Sequence, residues 1–331
     1  MVRLRTVSPN SPGWSRRRRG AGFSYLAADG NPLGGDDVAR IRALAIPPAW
    51  RDVWICPFPN GHLQAVGTDD AGRRQYLYHP DWRTRRDRMK FDRVLEAAHH
   101  LVGARRRVAR DLAASGMPRE RATALAVRLL DQGYFRVGGD AYAEGGSFGL
   151  TTLERRHVRL RRGLLVFRFT GKSGIEHTIE IDDPEVIETL APLRRRRSGE
   201  RLLAYRARHR WVDLAAADVN AYVHDLFGDG FSAKDFRTWH AGVIAATSLA
   251  LTEESGETTA SRQRAVRAAV DEVAGYLGNT PAIAKGSYID PRVIDLYESG
   301  VTITAVARKR HRNPSIRQAE LERAVLEMLA E

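Results

Sequence analysis

The spacing of apolar residues along this chain changes period three times, and each change marks a boundary. From Phe23 to about Tyr78 the apolar positions come in short runs separated by turn residues. Asp29-Gly30-Asn31-Pro32 is turn chemistry, and Pro47-Pro48 closes a short helical stretch around Val38 to Leu44. Trp54 to Pro59 and His62 to Thr68 read as a β-hairpin about Asn60-Gly61, a pair suited to a tight turn. A second turn, Asp69 to Arg73, leads into Gln75-Tyr76-Leu77-Tyr78. After the charge-dense stretch Arg83 to Asp92 the period is helical through Leu101 and Val108, and again over Arg119 to Leu130. Between Val158 and Ile181 it returns to two. Leu165, Phe167 and Phe169 alternate, as do Ile175, His177, Ile179 and Ile181, with Gly171-Lys172-Ser173-Gly174 as the hairpin tip. Beyond Pro184 the pattern predicts helices over 213–227, 233–252 and 259–276, shorter ones after Thr280 and Asp290, and a last one over 315–330.

The first 22 residues carry a basic cluster, Arg16 to Arg19, with little periodicity, and are expected to form a mobile arm. The expected fold is α+β. A small antiparallel β-rich domain covers 23–88, and a larger, mostly α-helical domain with an embedded antiparallel sheet covers 89–331.

Composition narrows the partners. The 331 residues hold 53 basic and 40 acidic side chains, a formal charge of +13, with 43% hydrophobic residues. That apolar content excludes wholesale disorder, and the charge points to a polyanion, nucleic acid first. Only five of the basic residues are Lys: Lys90, Lys172, Lys234, Lys285 and Lys309. Cys56 is the single cysteine, which excludes a disulfide scaffold and a cysteine-based zinc site. No apolar run reaches the roughly 20 residues of a bilayer span, and no secretory leader is visible, so no membrane role is expected and the cytosol, at the nucleoid, is the expected compartment.

Several tempting motifs fail. Gly171-Lys172-Ser173 lacks the P-loop glycine five positions earlier, where Val166 stands, and it joins two strands. The glycines at 138, 139, 145, 146 and 149 fit no dinucleotide fingerprint. His99-His100 has no ligand partners at metal spacing, and Asp36-Asp37 and Asp182-Asp183 read as helix caps. No cofactor and no metal is implied.

One constellation remains. Thr280-Pro281 and Asp290-Pro291 each have the signature of a helix start, and Gly286 can end the first helix, so Tyr288 sits in a connector between two helix boundaries. The run Gly278-Asn279-Thr280-Pro281-Ala282-Ile283-Ala284-Lys285-Gly286-Ser287-Tyr288 closely resembles the nucleophile segment of the type IB DNA topoisomerases, in their bacterial, poxvirus-like branch. Further segments agree in order. Phe135-Arg136-Val137-Gly138, followed by Gly149-Leu150-Thr151-Thr152-Leu153, resembles the segment of the first catalytic Arg. Phe169-Thr170-Gly171-Lys172 with His177 resembles the hairpin of the catalytic Lys, and Lys234-Asp235-Phe236-Arg237-Thr238-Trp239 the segment of the second Arg. Gln75-Tyr76-Leu77-Tyr78 resembles a motif of the family's amino-terminal domain.

The resemblance implies a monomeric enzyme that clamps duplex DNA between two domains and relaxes supercoils through a 3′-phosphotyrosyl intermediate, strand rotation and religation. Tyr288 would be the nucleophile, Arg136 and Arg237 the phosphate clamp, and Lys172 the general acid, with Lys234 as a second proton-relay candidate. The chemistry suits these residue types. A phenol of ordinary pKa about 10 needs a cationic pocket to ionise, guanidinium binds phosphate bidentately, and only an ammonium readily releases a proton. Gln75, Tyr76 and Tyr78 would touch DNA, with Gln75 able to read an adenine edge. Asn279 departs from the family's usual His, keeping hydrogen bonding and losing titration. A tyrosine recombinase is disfavoured by Lys234 where those enzymes carry His and by the β-rich amino-terminal domain. An architectural DNA-binding protein would leave the ordered nucleophile set unexplained.

Overall fold

The basic cluster at Arg16 to Arg19 is a strand. In the computed structural model, which describes residues 2–20, 22–252 and 258–330, β1 (Trp14–Arg19) pairs with β2 (Gly22–Leu26) and with β3 (Arg51–Ile55). The expected arm is therefore corrected to part of a sheet. Its apolar side is carried by Trp14, and Arg16, half-buried two residues on, shares that face. The Arg16 guanidinium lies over the Phe23 ring and donates to the carbonyls of Ile46, Pro47 and Trp50. A hydropathy pattern scores that Arg as polar and misses the strand.

The structure divides into two compact units, 1–90 and 91–331. In the first, β4 (Leu63–Thr68) and β5 (Arg74–Tyr78) complete an antiparallel sheet in the order β2-β1-β3-β4-β5, and α1 (Gly35–Ala43) buries Ile41 against Val53, Ile55 and Ala65. Asn60-Gly61 is not a two-residue turn. Residues 56–62 form a longer loop held by the buried Gln64 amide, which donates to the carbonyls of Phe58, Pro59 and Gly61. Gly61 is required for closeness, since a β-carbon there would lie 2.4 Å from Cys56 Sγ. The division falls within α2 (Pro80–His99).

The second unit begins with α3 (Leu101–Leu112), α4 (Arg119–Gly133) and the short α5 (Asp140–Ala143). The embedded sheet follows as β6 (Val158–Arg161), β7 (Leu164–Thr170) and β8 (Glu176–Ile181), antiparallel in that order. Next come α6 (Pro184–Arg195), the hairpin β9 (Ala204–Ala207) and β10 (Arg210–Asp213), then α7 (Ala216–Phe227) and α8 (Ala233–Leu251). The chain ends with α9 (Thr259–Leu277), α10 (Pro281–Ser287), α11 (Pro291–Glu298), α12 (Thr304–Ala307) and α13 (Pro314–Ala330). The stretch carrying α6, β9 and β10 had no predicted element. Its strands are four residues long and rich in Arg, too short for alternation to register, and α6 carries Pro192 internally. Asp183 does cap α6, accepting from the N–H groups of Glu185 and Val186.

Helix α8 organises this unit. Nearly its whole circumference is buried, and α4, α7, α9, α11, α12 and α13 pack on it. Among the described residues, no helix is long and apolar enough to cross a membrane.

Candidate active site

Arg136 follows directly from the end of α4. Tyr134 takes a left-handed conformation (φ 54°) that stops the helix, and Phe135 buries its ring under β7. The chain then runs beside residues 149–151: Leu150 N–H donates to the Arg136 carbonyl, and Thr151 donates to the Val137 carbonyl through both N–H and hydroxyl. Two glycines permit that approach. A β-carbon on Gly149 would lie 2.5 Å from the Gly138 α-carbon, so the Gly149–Leu153 stretch is the brace of the arginine segment.

Arg237 sits one turn into α8 and is only 3% exposed. Ser232 starts the helix, its N–H and hydroxyl both donating to Asp235, which leaves Lys234 exposed on the first turn. The Arg237 guanidinium donates to the Tyr134 carbonyl and, at 2.7 Å, to the Leu277 carbonyl at the end of α9. It thus links the start of the Arg136 segment to the start of the Tyr288 segment.

That last segment folds as the capping signals predict. Gly278 ends α9 in the left-handed region (φ 56°), Thr280 Oγ1 caps α10 at the Ile283 N–H, and Asp290 caps α11 at the Arg292 N–H. Helix α10 continues one residue past Gly286, to Ser287, and the N–H groups of Tyr288 and Ile289 both donate to the Ala284 carbonyl. Ile289 is buried, so the Tyr288 backbone is anchored from both sides.

A cleft of about 310 Å3 brings these parts together, lined by Arg136, Lys172, Lys234, Arg237 and Tyr288. Lys172 enters it from the β7–β8 tip, where the Gly171 N–H donates to the Ile175 carbonyl at 2.7 Å and Ser173 and Gly174 take positive φ. Arg136 holds its place through one nitrogen, Nη2, which donates to the Gly278 carbonyl (3.1 Å) and to Asn279 Oδ1 (2.6 Å). Asn279 stands beside Arg136, and its Nδ2 is buried without a hydrogen-bond partner among the described residues. The amide is thereby oriented with its acceptor on the arginine and its donor unused.

Electrostatics follow from this crowding of cations. The Arg237 guanidinium carbon lies 5.3 Å from the Tyr288 ring centroid. Burial would raise the Tyr288 phenol, but the charge and hydrogen bond of Arg237, then the charges of Arg136 and Lys234, outweigh it, so the hydroxyl is held below the ordinary phenol value. Burial, followed by the Arg136 charge, pushes Arg237 down to about 10. Arg136 is lowered as well, chiefly by burial.

The remaining candidates are on β5 of the first unit. Leu77 faces the small core, while Tyr76 (46% exposed) and Tyr78 stack on the opposite face, ring centroids 6.2 Å apart. Gln75 donates to Asp69 at 2.9 Å across the β4–β5 turn.

Sequence reasoning left two groups unmarked. Tyr142 and Phe148 also line the cleft. Behind Arg237, the buried Asp131 accepts from Arg105 and pairs with His240, while Arg105 also binds Glu322 of α13. An aromatic in a four-residue helix, another in a glycine-rich loop and a buried polar cluster carry no period, so no pattern marks them.

With the geometry in place, comparison with known proteins is informative. A family model described as eukaryotic DNA topoisomerase I, catalytic core, matches residues 79–311, and one described as bacterial DNA topoisomerase IB, N-terminal domain, matches residues 22–69. The chain is 29% identical over 294 residues to DNA topoisomerase 1B of Acanthamoeba polyphaga mimivirus, covering 86% of this chain and 87% of that protein. It is 29% identical over 166 residues to DNA topoisomerase 1 of Schizosaccharomyces pombe, covering 49% here and 19% there. Against DNA topoisomerase 1B of vaccinia virus (strain Copenhagen) it is 20% identical over 249 residues, covering 73% and 75%. The core match contains Arg136, Lys172, Lys234, Arg237, Asn279 and Tyr288, and it sets the recombinase and architectural readings aside. The chain belongs to the type IB DNA topoisomerase family, as a DNA topoisomerase with a bacterial-type amino-terminal domain.

Proposed function

We propose that the protein relaxes supercoiled duplex DNA by transient cleavage of one strand at Tyr288. The phenolate oxygen attacks the scissile phosphorus, a bond forms between them, and the bond to the 5′-oxygen breaks. The strand is then held through a 3′-phosphotyrosine. Arg136 and Arg237, which line the cleft, bind the non-bridging oxygens and take up the charge that grows on them, while Asn279 orients Arg136 through Oδ1 and holds its unpartnered Nδ2 as a further donor for the phosphate of bound DNA. Lys172 delivers a proton to the departing 5′-oxygen, with Lys234 at the edge of the cleft as a relay. The phosphotyrosine keeps the energy of the phosphodiester, so rejoining after rotation requires no ATP, and the cleft's own cations do the work of a metal. Gln75, Tyr76 and Tyr78 supply DNA contacts from the first unit.

What carries this reading is one observation: the phenol whose ionisation is favoured shares a cleft with two guanidinium groups and two ammonium groups. The test is relaxation of supercoiled plasmid in EDTA without ATP, wild type beside Tyr288→Phe. The wild type relaxes the plasmid and forms a covalent DNA adduct; Tyr288→Phe still binds and does neither. Relaxation by the Phe variant would remove Tyr288 from the mechanism.

A further inference from the structure

The Lys172 hairpin and the Asn279 turn come from distant parts of the chain, and one side chain stands between them. His177 is paired with Phe169 across β7 and β8 and stacks on its ring, centroids 5.1 Å apart. The edge of its imidazole meets Gly171, the residue before Lys172, where a β-carbon would lie 2.6 Å from Cδ2 and Nε2. Its Cε1 meets Gly278, where a β-carbon would lie 2.2 Å away. Both glycines are thus backbone surfaces that the ring touches directly. Gly278 also supplies a carbonyl to Arg136, and its neighbour Asn279 supplies Oδ1.

We infer that His177 is a positioning residue, a spacer that sets the Lys172 hairpin against the turn holding Asn279 and Arg136. Its own hydrogen bonding does not explain its place, because Nε2 is buried without a partner among the described residues. The ring is neutral in this role. Burial, then the Arg136 and Arg237 charges, hold it below the ordinary histidine value, and only Glu176 pulls the other way. A neutral ring adds no further cation to the cleft and fills the gap by shape. Removing it leaves a hole between two glycines, and the hairpin tip gains freedom where the proton must be delivered.

This inference rests on the proposed role of Lys172 as general acid, and the experiment separates the two. Single-turnover cleavage is measured on an oligonucleotide with an ordinary scissile phosphodiester and on one with sulfur in the 5′-bridging position, whose thiolate leaves without a proton. Lys172→Ala is the control, and its defect is expected to vanish on the sulfur substrate. His177→Ala is expected to slow ordinary cleavage ten- to a hundredfold and to approach the wild-type rate on sulfur. His177→Asn, smaller than imidazole and still polar, should fall between, which guards against a failure of His177→Ala to fold. If Lys172→Ala is rescued by sulfur and the His177 variants are equally slow on both substrates, the spacer role is wrong while the acid role survives. If Lys172→Ala is not rescued, the acid role fails and the inference falls with it.

Discussion

The Asn279 amide has its oxygen engaged and its nitrogen unused, and each half can be tested. Its oxygen accepts from Arg136 and its nitrogen is left as a donor. A neutral imidazole offers the same pair, one ring nitrogen accepting and the other donating, which explains how Asn and His can serve at one position. Asn279→His is therefore expected to keep its cleavage rate. Asn279→Ala removes both halves and is expected to raise the barrier by about 2–4 kcal/mol, the cost of a lost oxyanion donor. Asn279→Asp keeps the acceptor and replaces the donor with a negative charge, so it should be slower still. Single-turnover adduct formation ranks the three, and an Asp variant faster than the Ala variant would contradict the assigned orientation.

Among the elements, α3, α4, α8 and α13 are tied together by charge. Arg105 of α3 donates to Asp131 of α4 at 2.7 and 2.9 Å and to Glu322 of α13 at 2.6 and 2.9 Å, and His240 of α8 lies 3.0 Å from Asp131. Asp131 is buried just before Tyr134, whose carbonyl receives Arg237, so the network braces the start of the Arg136 segment. Burial alone would raise Asp131; Arg105 and His240 overcome it and hold the carboxyl far below its ordinary value. Its folded value is depressed. Its stabilisation is thus present above the unfolded value near 4 and is lost as pH falls through the folded one. Arg105→Met leaves two carboxylates buried without their cation and is expected to cost about 3–5 kcal/mol in urea unfolding at neutral pH. The deficit of this variant against the wild type should shrink on acidification, since protonating Asp131 removes the buried charge that has lost its arginine. A deficit that stays the same from neutral pH into acid would mean that Arg105 does not hold Asp131 ionised.

At the scale of the whole molecule, the proposed DNA binding can be tested through charge and through the first unit. A net charge of +13 implies DNA affinity that falls steeply with salt, roughly as the 0.9 power of the salt concentration for each phosphate contacted. Replacing Tyr76 and Tyr78 by Ala removes a stacked, outward-facing pair from β5 without touching the cleft. The double variant is expected to bind duplex DNA several-fold more weakly, with the adduct rate at saturating DNA unchanged. Filter binding across a salt series, run beside the adduct assay, checks both. A lower saturating rate would show that β5 takes part in more than binding.

Helices α4, α8, α9 and α13, the hairpin with Lys172 at its tip and the connector carrying Tyr288 were legible in the sequence. Each rests on a local rule: alternation in β7 and β8, Thr-Pro and Asp-Pro at the helix starts, glycine at the ends. The resemblance of four separated segments then named the residues of the cleft. Strand β1 and the loop at Asn60-Gly61 were not legible, because an Arg bonded to three carbonyls and a Gln bonded to three more both read as polar positions. Nor could the sequence show that Gly171 and Gly278 face one imidazole, or that Asp131, His240 and Arg105 share a buried network. Local rules act over a few neighbouring residues. The lowered phenol of Tyr288 and the placement of Asn279 arise from groups far apart in the chain, and only packing brings those charges and donors close enough to act on one another.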